Sequence, residues 1–352
     1  MAQPRGFGNG ENRAGMSRRS TIDDVARLAN VHKATVSRAL NARTQHQIGS
    51  ATVERVRAAA EQLGYVPNAM ARGLRTASSM TVGVVIPDLT NPLFPPMIRG
   101  IEAELQRHGY TALLANTDDS EAGERAALGS LIARHVDGLI VASGHHEYAA
   151  LRDAFDAGIR AVLLNRDAGD VPYPLVSGDD AHGIRQSVEH LVALGHRDIV
   201  HLAGPPRLST SVERRQAFEA SCAEHPGVRA TVVEAESLTI DGGLRAARTA
   251  FAAPRRPTAV VAGNDLIALG VLRAARELGL ECPRDVSVIG FNDMLFAEEF
   301  TPPLTTVRVP TLEMGAAAAR MLLQLLEDPA AHVEPVRLPV SLVVRGSTAA
   351  WT

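Results

Sequence analysis

Hydrophobic positions divide the chain into two textures. From residue 21 to about 64, apolar side chains recur at helical spacing. Ile22, Val25, Ala26 and Ala29 share one face, Val36, Ala39 and Leu40 a second, and Val53, Val56, Ala60 and Leu63 a third. That pattern predicts a small bundle of three short helices. From Met80 onward, short apolar runs at 82–86, 112–115, 138–141, 161–164, 199–203, 231–233, 259–262 and 286–289 alternate with amphipathic stretches such as 94–108 and 184–194. Strand-helix alternation of this kind predicts an α/β fold with parallel sheets covered by helices on both faces. Over about 270 residues, two such sheets are favoured over one. Between the textures, Tyr65-Val66-Pro67-Asn68 breaks the helical pattern. A helical stretch at 69–75, too short to be stable alone, leads into a linker at 76–79. The expected division is a disordered, Gly-rich tail (1–19), a helical headpiece (20–66), a hinge and linker (67–79) and a core (80–352).

Charge sharpens this division. Residues 1–79 carry 12 basic and 5 acidic side chains, a net +7, whereas the remainder carries 24 and 34, a net -10. A basic head on an acidic body points to a polyanionic partner for the head alone. No apolar run reaches the roughly 18–20 residues needed to span a bilayer. The first residues lack the apolar stretch of an export signal, so a cytoplasmic location is expected. Two distant cysteines, Cys222 and Cys282, exclude a disulfide framework and are expected to be reduced thiols.

The segment 21–41 carries the candidate chemistry of the head. Thr21 is a good N-cap, and Asp23 and Asp24 suit the first turn of a helix. Ala29-Asn30-Val31 makes a tight turn into a second helix, on which Val36 and Leu40 face inward. Lys33, Ala34, Ser37 and Arg38 face outward, near the N-terminus that enters the major groove in a helix-turn-helix. Lys33 or Arg38 can pair with guanine O6 and N7, and Ala34 can pack on a thymine methyl. Thr21, Thr35 and Asn41 are candidates for phosphate contacts, which set register without reading sequence. Lys33 is the only lysine in the chain. The competing reading, a helical hairpin with a solvated basic face, fits less well, because caps, turn, inward pattern and basic flanks agree.

These residues resemble the lactose/galactose repressor family of bacterial regulators. The resemblance rests on Thr-Ile-Asp-Asp-Val-Ala (21–26), Ala-Thr-Val-Ser-Arg-Ala-Leu-Asn (34–41), Leu-Gly-Tyr-Val-Pro-Asn-Ala-Met-Ala-Arg-Gly-Leu (63–74), Gly-Asn-Asp-Leu-Ile-Ala-Leu-Gly (263–270), Asp-Val-Ser-Val-Ile-Gly-Phe-Asn-Asp (285–293) and Pro-Leu-Thr-Thr-Val (303–307). It implies a helix-turn-helix headpiece hinged to a periplasmic-binding-protein-like core of two doubly wound parallel-sheet subdomains. The chain would cross between them three times, with one subdomain at about 80–177 and 306–328 and the other at about 178–305 and 329–352. It also implies a homodimer on a near-palindromic operator, with Leu74, beside Ala71, wedged into the minor groove. Two headpiece positions depart from the family pattern: Asn30 stands where Gly is frequent, and His32 where Ser usually caps the second helix.

The resemblance further implies a small-molecule effector, a sugar, sugar acid or related metabolite, held between the subdomains by Asn91, Phe94, Asn165, Arg166, Arg214, Asn264 and Asn292. Each Asn has the alternative role of a helix cap, and each Arg that of an ion pair. Sugar-binding members often have Asp at the positions of Asn165 and Asn292. Losing two carboxylates while keeping two guanidiniums makes an acidic ligand easier to accommodate. No catalytic residue, metal site or cofactor is expected. Only His145-His146 are adjacent among twelve histidines, and no glycine-rich phosphate loop appears. Asp118-Asp119 and Arg214-Arg215 read as solvated pairs rather than catalytic groups. A solute-binding module without a DNA role is the other competing reading.

Overall fold

The computed structural model describes residues 20–41, 44–65, 78–144 and 149–351. The expected tail (1–19), the hinge residues Ala71 and Leu74, and the pair His145-His146 lie outside them. The chain divides into two compact units, 1–76 and 77–352.

In the first unit, α1 (Ile22–Leu28), α2 (Lys33–Ala39) and α3 (Ser50–Gln62) enclose a core centred on the fully buried Val25, Val36 and Val56. A capping box starts α1: Thr21 Oγ1 accepts from Asp24 N, and the Asp24 carboxylate accepts from Thr21 N at 3.0 Å. Asn30 turns the chain at φ 52, a left-handed conformation that Asn tolerates, and Val31 N donates to Ala26 O at 3.0 Å. His32 caps α2 with its ring, Nδ1 accepting from Ala34 N at 3.2 Å. From α3, Arg55 Nε donates to the Ala29 carbonyl at 3.1 Å and clamps the turn.

The second unit contains two sheets. The chain runs through β1 (Thr81–Ile86), α4 (Phe94–Arg107), β2 (Thr111–Asn116), α5 (Glu121–Ala133), β3 (Gly138–Val141), α6 (Ala149–Asp156), β4 (Ala161–Leu164) and β5 (Leu175–Gly178). It continues with α7 (Asp180–Ala193), β6 (Asp198–Ala203), α8 (Ser209–Ala223), β7 (Arg229–Glu234), α9 (Ile240–Phe251), β8 (Ala259–Ala262), α10 (Asp265–Glu277), β9 (Ser287–Asn292) and β10 (Thr305–Arg308). Last come α11 (Thr311–Glu327), β11 (Val336–Leu338) and β12 (Ser341–Val343). The first sheet has the order β11-β5-β4-β3-β1-β2, all parallel. The second has the order β12-β10-β9-β8-β6-β7, parallel except for β12. Central strands such as β3, β4 and β8 are buried along their whole length, as their unbroken apolar runs require. No helix among the described residues is long and apolar enough to cross a membrane.

Two crossings between the sheets differ from the expected boundaries. Expectation placed residues from 306 in the first subdomain, but β10 pairs with β9, so the second crossing falls between Arg308 and Thr311. Expectation placed residues from 329 in the second, but β11 pairs with β5, so the third crossing follows Leu338. Strands of three or four residues carry too few alternations to reveal a face.

In the first subdomain, α4 and α11 cross on glycines. A Cβ on Gly100 would lie 2.1 Å from the Leu312 carbonyl oxygen, and one on Gly315 would lie 2.0 Å from that of Met97. Both obstacles are backbone, so the helices would have to separate. Gly100→Ala is therefore expected to cost about 1–3 kcal/mol or more. The check is the denaturant midpoint, which should fall; a midpoint at or above the wild-type value would show that the crossing can open.

Candidate functional site

The proposed reading face lies on α2. Lys33 and Arg38 are exposed, and Ala34 and Ser37 are half-buried, while Val36 and Ala39 fill the bundle. At 100° per residue, 33, 34, 37 and 38 span roughly 140° of helix surface. No acidic residue occurs on α2. Thr35 and Asn41 are half-buried beside this face. Thr21 is committed locally: its hydroxyl donates to Asp24 Oδ2 at 2.6 Å. A hydroxyl has one proton, so a phosphate contact by Thr21 would have to displace Asp24.

In the core, all seven residues assigned to the cleft line one cavity, together with Leu93, Thr210 and Leu238. Strand order explains the convergence. Asn91 follows β1, Asn165 and Arg166 follow β4, Asn264 follows β8, and Asn292 ends β9, so all sit at carboxyl ends of parallel strands. Phe94 opens α4, and Thr210 and Arg214 come from the start of α8. Asn165, at φ 68, reverses the chain directly after β4. The enclosed space is about 10 Å³, room for roughly one water, so the subdomains are shut over the site.

Arg214 is held in the wall of this cavity by three contacts. Its Nε donates to Asp180 at 2.7 Å, its Nη1 to the Gly263 carbonyl at 2.6 Å, and its guanidinium lies 3.8 Å from the centre of the Phe291 ring. Burial pushes the Asp180 carboxyl up, against the pull of Arg214. Asn264 is also engaged: Oδ1 caps α10 at Ile267 N, and Nδ2 donates to the Leu238 carbonyl. Asn292 Oδ1 and Arg166 Nε are buried without a partner among the described residues.

At the rim, side chains cross between subdomains. Asp119 accepts from Arg166 at 2.9 Å and, on its other oxygen, from Arg207 of the facing subdomain at 2.9 Å. Ser209 Oγ accepts from Asp167 N at 2.9 Å across the same gap. Asp119 is thus no solvated member of an Asp pair, because the β2–α5 turn aims it at two guanidiniums. Asp119, Asp180 and Arg207 escaped sequence reasoning. An acid in a turn or a first helical turn has an ordinary local explanation, and only the fold brings the arginines near.

Two buried titrating groups flank the cleft. His201, on β6, stacks on Phe218 and is held down to about 4 by burial and by the nearby Arg214 and Arg215 charges. Asp265 accepts from Met294 N at 2.7 Å and Thr306 Oγ1 at 2.5 Å, and burial raises it to about 7 despite those bonds. Between pH 7 and 5 the unfolded chain protonates His201 but the folded one does not, so acid removes stability there. Over the same interval the folded chain protonates Asp265 but the unfolded one does not, so acid adds stability. Each effect is about 2 kcal/mol and they oppose. Urea titrations at both pH values should show His201→Leu gaining, and Asp265→Asn losing, stability on acidification relative to wild type. Identical slopes in all three would refute the assignment.

Comparison with known proteins places both units. Residues 21–68 match the model of "bacterial regulatory proteins, lacI family", and 188–348 that of a periplasmic binding protein-like domain. The chain is 39% identical over 342 residues to the transcriptional regulator MalR of Streptomyces coelicolor, covering 93% of this chain and 96% of that one. It superposes on the lac repressor dimer bound to operator and the anti-inducer ONPF with a TM-score of 0.84 and 29% identity, covering 95% of this chain and all of that one. A CelR–cellobiose complex matches with a TM-score of 0.70 and 33% identity, covering 94% of this chain and all of that one. The chain belongs to the lacI family of bacterial regulatory proteins, DNA-binding transcription regulators with a periplasmic-binding-protein-like core.

Proposed function

We propose that this protein is a repressor that reads operator DNA through α2 and is gated by a small-molecule effector held between the core subdomains. The observation that carries the proposal is the joining, in one chain, of a basic helix-turn-helix to a closed cleft lined by loops of both subdomains. Lys33, Ala34, Ser37 and Arg38 contact bases, while Thr35 and Asn41 contact phosphates, with Thr21 chiefly the cap of α1. Relatives of known structure include a dimer on operator and a complex with a sugar, which supports a homodimer on a near-palindromic site and an effector of sugar-like size. The same reading assigns minor-groove contact to Ala71 and Leu74, which lie outside the described residues.

Gating requires that the effector bind two arrangements of the core unequally. The shut arrangement, held at the rim by Asp119 with Arg207 and by Asp167 with Ser209, leaves room for about one water, so an effector favours a more open one, and this supplies the difference. The protein acts in the cytoplasm without catalysing a reaction.

The test is a gel shift with DNA from upstream of the protein's own gene. The protein should retard it, and affinity should fall at least tenfold between about 50 and 200 mM salt as counterions are recovered. No retardation at low salt, with or without cell extract, would favour a solute-binding module.

A further inference from the structure

Where the two lips of the cleft meet, two guanidiniums converge on the single carboxylate of Asp119. Arg166, 4% exposed, lines the cavity and donates Nη1 to one Asp119 oxygen. Arg207, from the other lip, donates to the second oxygen. One carboxylate therefore serves two cations. Arg166 Nε is buried with no partner among the described residues, a costly state for a charged donor. Arg214 does not help, because Asp180 already neutralises it. None of the described residues lining the cavity carries a carboxylate, and Asn165 and Asn292 stand in its wall. A neutral polyol could accept a hydrogen bond from Arg166 but brings no charge to a guanidinium that shares its one carboxylate with Arg207. An anion supplies both the acceptor and the charge, and charge-assisted bonds to guanidinium are the stronger kind.

We propose that the effector is a small organic anion whose carboxylate or phosphate seats on Arg166, and that Asp119 is the internal carboxylate sharing that guanidinium. The proposal rests on the cleft being the effector site. With the anion in place, Arg166 pairs with the effector and Arg207 keeps Asp119. Seating the anion requires the lips to part beyond the described arrangement, whose cavity has room for about one water.

The experiment is calorimetry and thermal shift on the full chain with gluconate, glucuronate, glucose 6-phosphate and ribose 5-phosphate, each against its neutral sugar. At least one anion should bind tenfold or more tighter than its neutral counterpart. The aldonate and uronate arms separate a carboxylate ligand from a phosphate ligand. A panel in which no anion exceeds its counterpart overturns the proposal. Asp119→Asn gives a second, opposite-signed readout. Asp119 has φ 50, which Asn tolerates, so the loop should persist, as an unshifted unliganded melting temperature will show. Removing the internal competitor should strengthen anion binding about threefold or more, whereas a purely structural role would weaken it; weakening counts against the proposal. Arg166→Gln should abolish the preference for anions. A gel shift on the same preparation keeps the readings apart. Failure to bind DNA refutes the regulatory role alone, and preference for neutral sugars by a DNA-binding protein refutes the anionic effector alone.

Discussion

Replacing Arg214 with alanine is expected to lower the stability of the core by about 3–5 kcal/mol, because it strands a buried carboxylate. Asp180 has only 5% of its side chain exposed and depends on Arg214 Nε for compensation. The Gly263 carbonyl and the face of Phe291 lose their partner together with it. In a domain of this size the loss corresponds to a melting temperature lower by on the order of 10 °C. Scanning calorimetry can measure it. The double variant Arg214→Ala with Asp180→Asn should recover part of the loss, since a neutral amide replaces the unpaired charge. If the single variant melts like wild type, or the double variant is worse, the ion pair does not hold this part of the core. Effector response should disappear in both variants, because Arg214 lines the cavity.

The second large effect concerns α2. Lys33→Ala should cost about 1–3 kcal/mol for each base pair read. A symmetric dimer presents the same change to both half-sites, so the loss doubles to about 2–6 kcal/mol. The decisive measurement is affinity for the operator against variants at each position of the half-site. A lost base contact appears as indifference at one position, with the other preferences kept. Uniform weakening across all sequences would make Lys33 a phosphate contact. Arg38→Ala should behave similarly at a different position. Neither side chain is buried, so the headpiece should stay folded.

The sequence made the helices and the inner strands legible because each is long enough, or apolar enough, to declare its face. Val82, Ile140, Val162 and Val260 lie in runs buried on both sides of a sheet, and such runs have few alternatives. The cleft was legible through resemblance: its seven residues are scattered from 91 to 292, and spacing alone would not unite them. Less legible were β10, β11 and β12, each three or four residues long with mixed exposure. The ionic partners stayed hidden for another reason. The role of Asp119 depends on two arginines 47 and 88 residues away, and no local pattern records such a distance. His32 stands where Ser usually caps the second helix, and its ring nitrogen does the work of the usual hydroxyl.

The glycine crossing of α4 and α11 also sets a timetable for synthesis. Gly100 packs on the backbone of Leu312 and Gly315 on that of Met97, partners separated by roughly 200 residues of chain. At roughly 5–20 residues per second, a ribosome needs about 10–40 s to supply the second helix after the first. Throughout that interval the first sheet lacks the helix that will cover it, whereas the apolar core of the headpiece is drawn from residues 22–65 and can close early. A chain arrested before residue 311 would therefore carry a folded reading head on a half-built clamp. Rare codons or pausing within 100–311 should reduce yield through aggregation of that intermediate, more than pausing placed after residue 338.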